Sequence, residues 1–379
     1  MKTTNRWMTS LWLLATSVAH ADADLQAFVD RTLNDVRTRA NLPAIAALVQ
    51  IDGQVAAKSA VGVRAVGHPE PVTTQDLWHL GSNTKAMTAT LIARLVEQGY
   101  LGYGDTMAKV FPGVAARMDP AMHDVTVAQL LTHTSGLPSL STPEQLPAFE
   151  AVIRAERGLR SQRAALAVYY LGRKPATKAG EFAYSNLGYA ILGAVAEERT
   201  GRSWEELIRS EVWRPLGIRS GGFGPPGKSG RFDQPLGHDM KDGKWVSLDP
   251  EARDSDNPAA IGPAGTVHMT LDDWMLFAQD QLEGERGTGG KLLKTEGYRR
   301  LHTPATRNYA MGWGVLRAAD GSNTVLTHMG SNGYWVADVR IFPKRNLVLL
   351  IATNAGGDAA EKADKEIARA LQERLKALD

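Results

Sequence analysis

Apolar positions change their spacing twice along the chain. Ile45–Ile51 and Val55–Val66 are β-branched, nearly continuous apolar runs joined through Asp52-Gly53, which predicts a hairpin and an antiparallel start. From Ser82 the period becomes helical, with Met87, Leu91, Leu95 and Val96 on one face up to a stop at Gly99. Residues from about Leu101 to Leu216 keep that helical period over Ala164–Leu171, Leu187–Arg199 and Ser203–Val212, broken at Ser135-Gly136, Lys174-Pro175 and Pro215. A Gly/Pro-rich loop, Gly221–Gly230, and a helix near Leu271–Leu282 follow. Strand patterns return at Thr324–Met329, Tyr334–Phe342 and Leu347–Thr353, and Ala359–Leu378 closes the chain as a helix.

Sheet-forming ends around a helical middle predict an α+β fold. The two ends build one antiparallel sheet flanked by helices, and the middle forms a helical lobe against it. A cleft between sheet and lobe follows, and ligand sites favour such seams. There are no internal repeats.

The N-terminus has its own pattern: two cations (Lys2, Arg6), a mostly apolar run Trp7–Val18, then Ala19-His20-Ala21. This reads as a secretory leader over 1–21, cleaved before Asp22, and it is short of the roughly 20 apolar residues a membrane span needs. No later segment is apolar enough to span, so the mature chain, 22–379, is expected to be periplasmic or secreted as a single domain. The 379 residues carry Lys+Arg 43 and Asp+Glu 41. Both surplus cations sit in the leader, so the mature chain is balanced and nothing in its charge calls for nucleic acid. There is no cysteine. That excludes disulfides, a thiolate nucleophile and Cys-ligated metal centres, and leaves oxygen or nitrogen chemistry.

Ser82-Asn83-Thr84-Lys85 is the only serine followed by lysine three positions on. Residues three apart share a helix face, so the Lys85 amine can reach the Ser82 hydroxyl, which needs a neighbouring base or cation to act as a nucleophile. The same spacing also fits an ordinary helix cap. Tyr184-Ser185-Asn186 is the only Tyr-x-Asn and leads directly into a helical run. Tyr184 is a candidate base if a cation stabilises its phenolate, and Asn186 offers both an amide donor and an acceptor. His328-Met329-Gly330 ends a C-terminal strand, with Ser331 next. There the Ser331 amide could face an oxyanion while Gly330 lets a substrate lie close to the backbone.

In this order the three motifs resemble those of the serine β-lactamase and penicillin-binding protein superfamily, within it the class C β-lactamase, D,D-peptidase and esterase branch. Leu130–Pro138, Thr200–Ser203 with Pro215–Gly217, and Gly262–Gly265 before Asp272-Asp273-Trp274 resemble that branch too, so the likeness spans nearly the whole mature chain. It implies a β-lactamase-like fold and a catalytic set of Ser82, Lys85 and Tyr184. Asn186, His328, Gly330 and Ser331 would bind the substrate. It also implies a small-molecule or peptide acyl substrate and no cofactor or metal. Where β-lactamases of the branch carry Lys-Thr-Gly, this chain has His-Met-Gly, and an unperturbed histidine is mostly neutral at pH 7, which weakens recognition of a substrate carboxylate.

Several look-alikes fail on context. Gly222–Ser229 matches a P-loop but lacks the buried strand before it and the helix after it, so no nucleotide is expected. Lys228-Ser229-Gly230 imitates the third motif within turn formers. Ser255-Asp256-Asn257 copies the class A β-lactamase Ser-Asp-Asn in a loop, and His79-Leu80-Gly81 is a second His-x-Gly. The nine histidines lack metal-ligand spacing, and His133 is expected to be a structural hydrogen-bonder. The resulting expectation is β-lactamase- or D,D-carboxypeptidase-like hydrolysis of an amide or ester. A short-chain carboxylesterase of the same fold and a non-catalytic penicillin or cell-wall binder are the alternatives. Whether Lys85 or Tyr184 is the base stays open.

Overall fold

The computed structural model describes residues 8–376 apart from 141, 307 and 318–323. Its centre is a six-stranded antiparallel sheet of order β2-β1-β11-β10-β9-β8. The strands are β1 (Ala44–Ile51), β2 (Gln54–Gly62), β8 (Gly314–Arg317), β9 (Thr324–Ser331), β10 (Val336–Phe342) and β11 (Leu347–Thr353). The two ends of the chain meet where β1 pairs with β11, Ile45 opposite Thr353 through Ile51 opposite Leu347.

The apolar runs of β1 and β11 do not alternate with polar residues because both faces of the sheet are covered. Ile45, Ala47, Val49, Leu349 and Ile351 face one side and pack with Leu25, Val29 and Leu33 of the helix Met8–Arg39 and with Ile367 and Leu371 of the helix Gly357–Lys376. Ala46, Leu48, Leu350 and Ala352 face the other side and belong to the larger core under the helical lobe. The hairpin forms as predicted. Asp52 and Gly53 both take positive φ (50° and 78°), the left-handed pair that a type I′ turn requires.

Of the expected leader, residues 1–7 lie outside the described residues, and 8–21 run within the helix Met8–Arg39. Among the described residues no helix is long and apolar enough to cross a membrane. The expected helix Ser203–Val212 is three pieces: Trp204–Leu207, a π-helical stretch Ile208–Trp213, and Arg214–Leu216. The expected strand from Tyr334 begins at Val336, and the edge strand β8 was not anticipated.

A small sheet at the seam positions the site. β3 (Leu77–His79) and β4 (Gly222–Phe223) both pair with β7 (Val267–Thr270). A separate hairpin is formed by β5 (His238–Lys241) and β6 (Lys244–Ser247). From β3 the chain turns through a 3-10 turn, Gly81–Asn83, into the helix Thr84–Glu97. That helix is buried on every side, as a helix at the junction of two lobes must be. In the helical lobe, Arg163 of the helix Leu159–Leu171 is fully buried. It bonds Glu197 of the helix Asn186–Thr200 (Nη2 to Oε1, 2.6 Å) and Glu205 (Nη2 to Oε2, 2.8 Å).

Candidate active site

Ser82 stands in the turn just before the helix Thr84–Glu97, partly open to the cleft while its neighbours Gly81 and Asn83 are buried. The Ser-x-x-Lys spacing does what helical geometry implies: Lys85 Nζ donates to Ser82 Oγ at 3.0 Å. The same nitrogen donates to Asn186 Oδ1 and to Ala264 O, both at 2.8 Å. Asn186 Oδ1 and Ala264 O can only accept, so they take two N–H protons, and the hydroxyl of Ser82 is the one contact that can instead donate to the lone pair of a neutral amine. Lys85 is wholly buried, and that burial pushes its pKa well below the ordinary lysine value.

Tyr184 comes from the extended segment before the helix Asn186–Thr200. Ser185 caps that helix, accepting from Gly188 N–H at 3.1 Å, and so fixes Tyr184 on one side and Asn186 on the other. Lys85 Nζ sits 4.8 Å from the centre of the Tyr184 ring and 5.7 Å from that of Tyr189. Burial raises the Tyr184 phenol to about 12, against an opposing hydrogen bond with Ser82. At neutral pH only about one Tyr184 in 10⁵ is then a phenolate, so the resting tyrosine is a proton donor. Of the two candidate bases, the one whose environment favours the basic form is Lys85.

His328 lies on β9 and is buried. Its Nδ1 donates to Met329 O at 3.0 Å, which leaves Nε2 to accept from the Tyr309 hydroxyl at 3.4 Å. Burial, then the charge on Lys85, depress its pKa to about 3. His328 is therefore held neutral, with both ring nitrogens hydrogen-bonded. Tyr309 also accepts from His133 Nε2 at 3.1 Å, and His133 Nδ1 accepts from Ser185 N–H at 3.1 Å. One directed chain thus runs from the Ser185 amide through His133 and Tyr309 to His328. The structural role expected of His133 is what it performs. Tyr309 was missed; its only sequence signal is an aromatic residue in a loop, Asn308-Tyr309-Ala310. Phe182 meets His133 edge-on and lies tilted against Tyr309, half exposed at the edge of this cluster.

The room beside Gly330 is used by the chain itself. A Cβ there would collide with Leu80 O and lie 2.6 Å from Ser82 N, so glycine is needed for β9 to press against the Ser82 turn. Gly81 (φ +50°) mirrors this contact, a Cβ on it falling 2.5 Å from Ser331 N. The backbone of Ser331 is thereby brought beside the Ser82 turn. Of the look-alikes, Phe223 is packed between Trp204 and Trp213, and no helix follows the P-loop-like segment. Among the described residues no cluster of His, Asp and Glu could hold a metal ion.

Residues 26–374 match the family model described as Beta-lactamase. The chain belongs to the Beta-lactamase family. Within it, the chain is similar to penicillin-binding protein 4 of Amycolatopsis lactamdurans, 28% identical over 332 residues, covering 85% of this chain and 83% of that one. It is also similar to protein flp of Staphylococcus aureus (strain N315), 24% identical over 343 residues and 89% of this chain, but spans only 65% of that relative's length. A class C beta lactamase from Rhodobacter sphaeroides shares the fold, with a TM-score of 0.70, 18% identity, and coverage of 92% of this chain and 99% of the other. The β-lactamase-like α+β architecture expected from the three motifs is the one this family member has.

Proposed function

We propose that this chain is an exported serine hydrolase that works through an acyl-enzyme on Ser82. The observation that carries the reading is Lys85 Nζ, buried and 3.0 Å from Ser82 Oγ, with Asn186 Oδ1 on its far side. Neutral Lys85 takes the Ser82 proton as Oγ attacks the acyl carbon. The amides of Ser82 and Ser331 hold the oxyanion, and Asn186 orients the acyl group. Tyr184 gives its proton to the leaving group as the carbonyl reforms and recovers one from the Lys85 ammonium. Water then attacks the ester carbon as Lys85 takes its proton. When the tetrahedral intermediate collapses, the Lys85 ammonium returns that proton to Ser82 Oγ, so the acid leaves and both groups are restored. The hydrolase occupies the chain from residue 22 onward, after leader cleavage.

The His328 environment favours an uncharged ester or amide over a substrate that must be held by its carboxylate. A neutral imidazole tied to Tyr309 offers no cation, and Phe182 presents an apolar surface nearby. This supports the short-chain carboxylesterase variant of the same chemistry. Parallel rates on nitrocefin, a D-Ala-D-Ala peptide and p-nitrophenyl esters test it, and ester turnover abolished by Ser82→Ala is expected. Undiminished turnover by Ser82→Ala would refute the serine mechanism. Stable acylation with no turnover of any substrate would identify a penicillin-binding protein without hydrolase activity.

A further inference from the structure

His79 and Asp256 belong to two motifs without a role in the mechanism above, yet they meet directly behind the nucleophile. His79 ends β3 and is buried. Its Nδ1 accepts from Gly81 N–H at 3.2 Å, so the ring proton resides on Nε2, and Nε2 donates to Asp256 Oδ2 at 3.0 Å. The other carboxylate oxygen of Asp256 accepts from Asn332 Nδ2 at 2.7 Å and from its neighbour Asn257 N–H at 2.7 Å. Asn332 cannot turn its amide over without loss, because its Oδ1 takes Tyr334 N–H at 3.1 Å. Gly81 precedes Ser82, and Asn332 follows Ser331.

Resting on the serine-hydrolase reading, we propose that Asp256 is a positioning residue whose two oxygens clamp the flanks of the oxyanion cradle, Gly81-Ser82 through His79 and Ser331 through Asn332. The Ser82 turn is also held from the other side, where Asn83 Nδ2 donates to Leu80 O and Ala337 O and Thr84 Oγ1 donates to Gly81 O, and Ser331 is paired with Val336 of β10. Asp256 adds a side-chain link between the two flanks themselves, where Gly81, Gly330 and Ser331 approach closely. Oxyanion donors work only when fixed before charge develops, and a displacement of about 1 Å can cost about 10²-fold in rate. Asp256 touches no reacting atom; it acts through the backbone it anchors.

Asp256→Asn is the direct test, since an amide has one acceptor and one donor end where two acceptors are required. With its nitrogen toward His79, it forces the ring proton onto Nδ1, where it opposes Gly81 N–H; turned over, it opposes Asn332 Nδ2. The variant is compared with wild type in the acylation burst with p-nitrophenyl acetate. The clamp predicts a burst of full amplitude whose rate falls about 10- to 100-fold, KM within about threefold, and affinity for an arylboronic acid weakened by the same factor as the rate. Where the amide nitrogen faces His79, the ¹⁵N shifts of the ring also leave the Nε2-protonated pattern; where it faces Asn332, they keep it and the Asn332 side-chain amide resonances move instead. A purely structural role would instead lower burst amplitude and leave the rate of the surviving fraction alone. Asn332→Ala removes the second arm while leaving the Asp256 carboxylate in place, and serves if Asp256→Asn does not fold. Acylation by either folded variant within about twofold of wild type would overturn the clamp. Failure of wild type itself to acylate would overturn the hydrolase reading and the clamp with it, so the two failures are distinct.

Discussion

Lys85 sits among three neutral acceptors and, among the described residues, has no carboxylate partner. With no opposing charge to offset it, desolvation governs the amine and holds it well below the ordinary lysine value. Protonation of Lys85 removes the base, so kcat/KM for an ester should rise with pH through that depressed value and then level off. Tyr184 at about 12 and His328 at about 3 titrate outside the plateau. A pH–rate profile with a falling limb between about pH 8 and 10, well below the Tyr184 value, would contradict these assignments. Tyr184→Phe separates the two proton carriers. p-Nitrophenolate leaves without a proton, whereas an anilide nitrogen does not. The variant should lose about 10²–10⁴-fold in kcat on the anilide and far less on the p-nitrophenyl ester. Equal losses on both would give Tyr184 a different task.

At the scale of elements, the site depends on β9 lying flush against the Ser82 turn. Gly330→Ala puts a methyl group where Leu80 O and Ser82 N already are. Backbone, unlike a flexible side chain, yields only by moving the Ser82 turn. The expected result is a folded protein with a reduced titre of acylatable serine, measured by burst amplitude; an unchanged titre would mean that β9 is free to shift. The helical lobe has a comparable fixed point in Arg163, which joins the helices Leu159–Leu171 and Asn186–Thr200 through Glu197 and also reaches Glu205. Removing the cation leaves Glu197 buried and unpaired, so Arg163→Met should lower the unfolding free energy by about 3–5 kcal/mol in urea titration. A loss below about 1 kcal/mol would show that the carboxylates find water or new partners. The break of the expected helix Ser203–Val212 into α and π pieces could not be read from periodicity, because Ile208, Val212 and Trp213 are apolar at spacings that fit either helix.

At the scale of the whole molecule, the closing of the sheet by both chain ends was legible because β1, β10 and β11 are buried enough to write long apolar runs. Edge strand β8, four residues with two exposed, leaves no such trace. The same contrast holds in the site. Ser82, Lys85, Tyr184 and Asn186 have motif spacing because local geometry joins them in pairs. Tyr309, Asp256 and His79 are brought in by tertiary contacts that no spacing encodes. His238 shows how far such contacts reach: it ties β5 to the end of β11 through Asn354 O (2.8 Å) and accepts from Val66 N–H (3.0 Å). Burial lowers it to about 4. Between about 6.5 and 4 the unfolded chain therefore binds a proton that the folded chain refuses, and the stability present above about 6.5 is lost as pH falls. The stability advantage of wild type over His238→Gln should shrink by about 3 kcal/mol between about pH 7.5 and 4, at about 1.4 kcal/mol per pH unit. A constant difference would mean the site accepts the charge. The most direct test of the serine mechanism is intact mass after brief incubation with an activated ester. Wild type should gain one acyl group, located on Ser82 by peptide mapping, and Ser82→Ala should gain none. An unmodified wild type that still turns the ester over, or an adduct elsewhere, would contradict it.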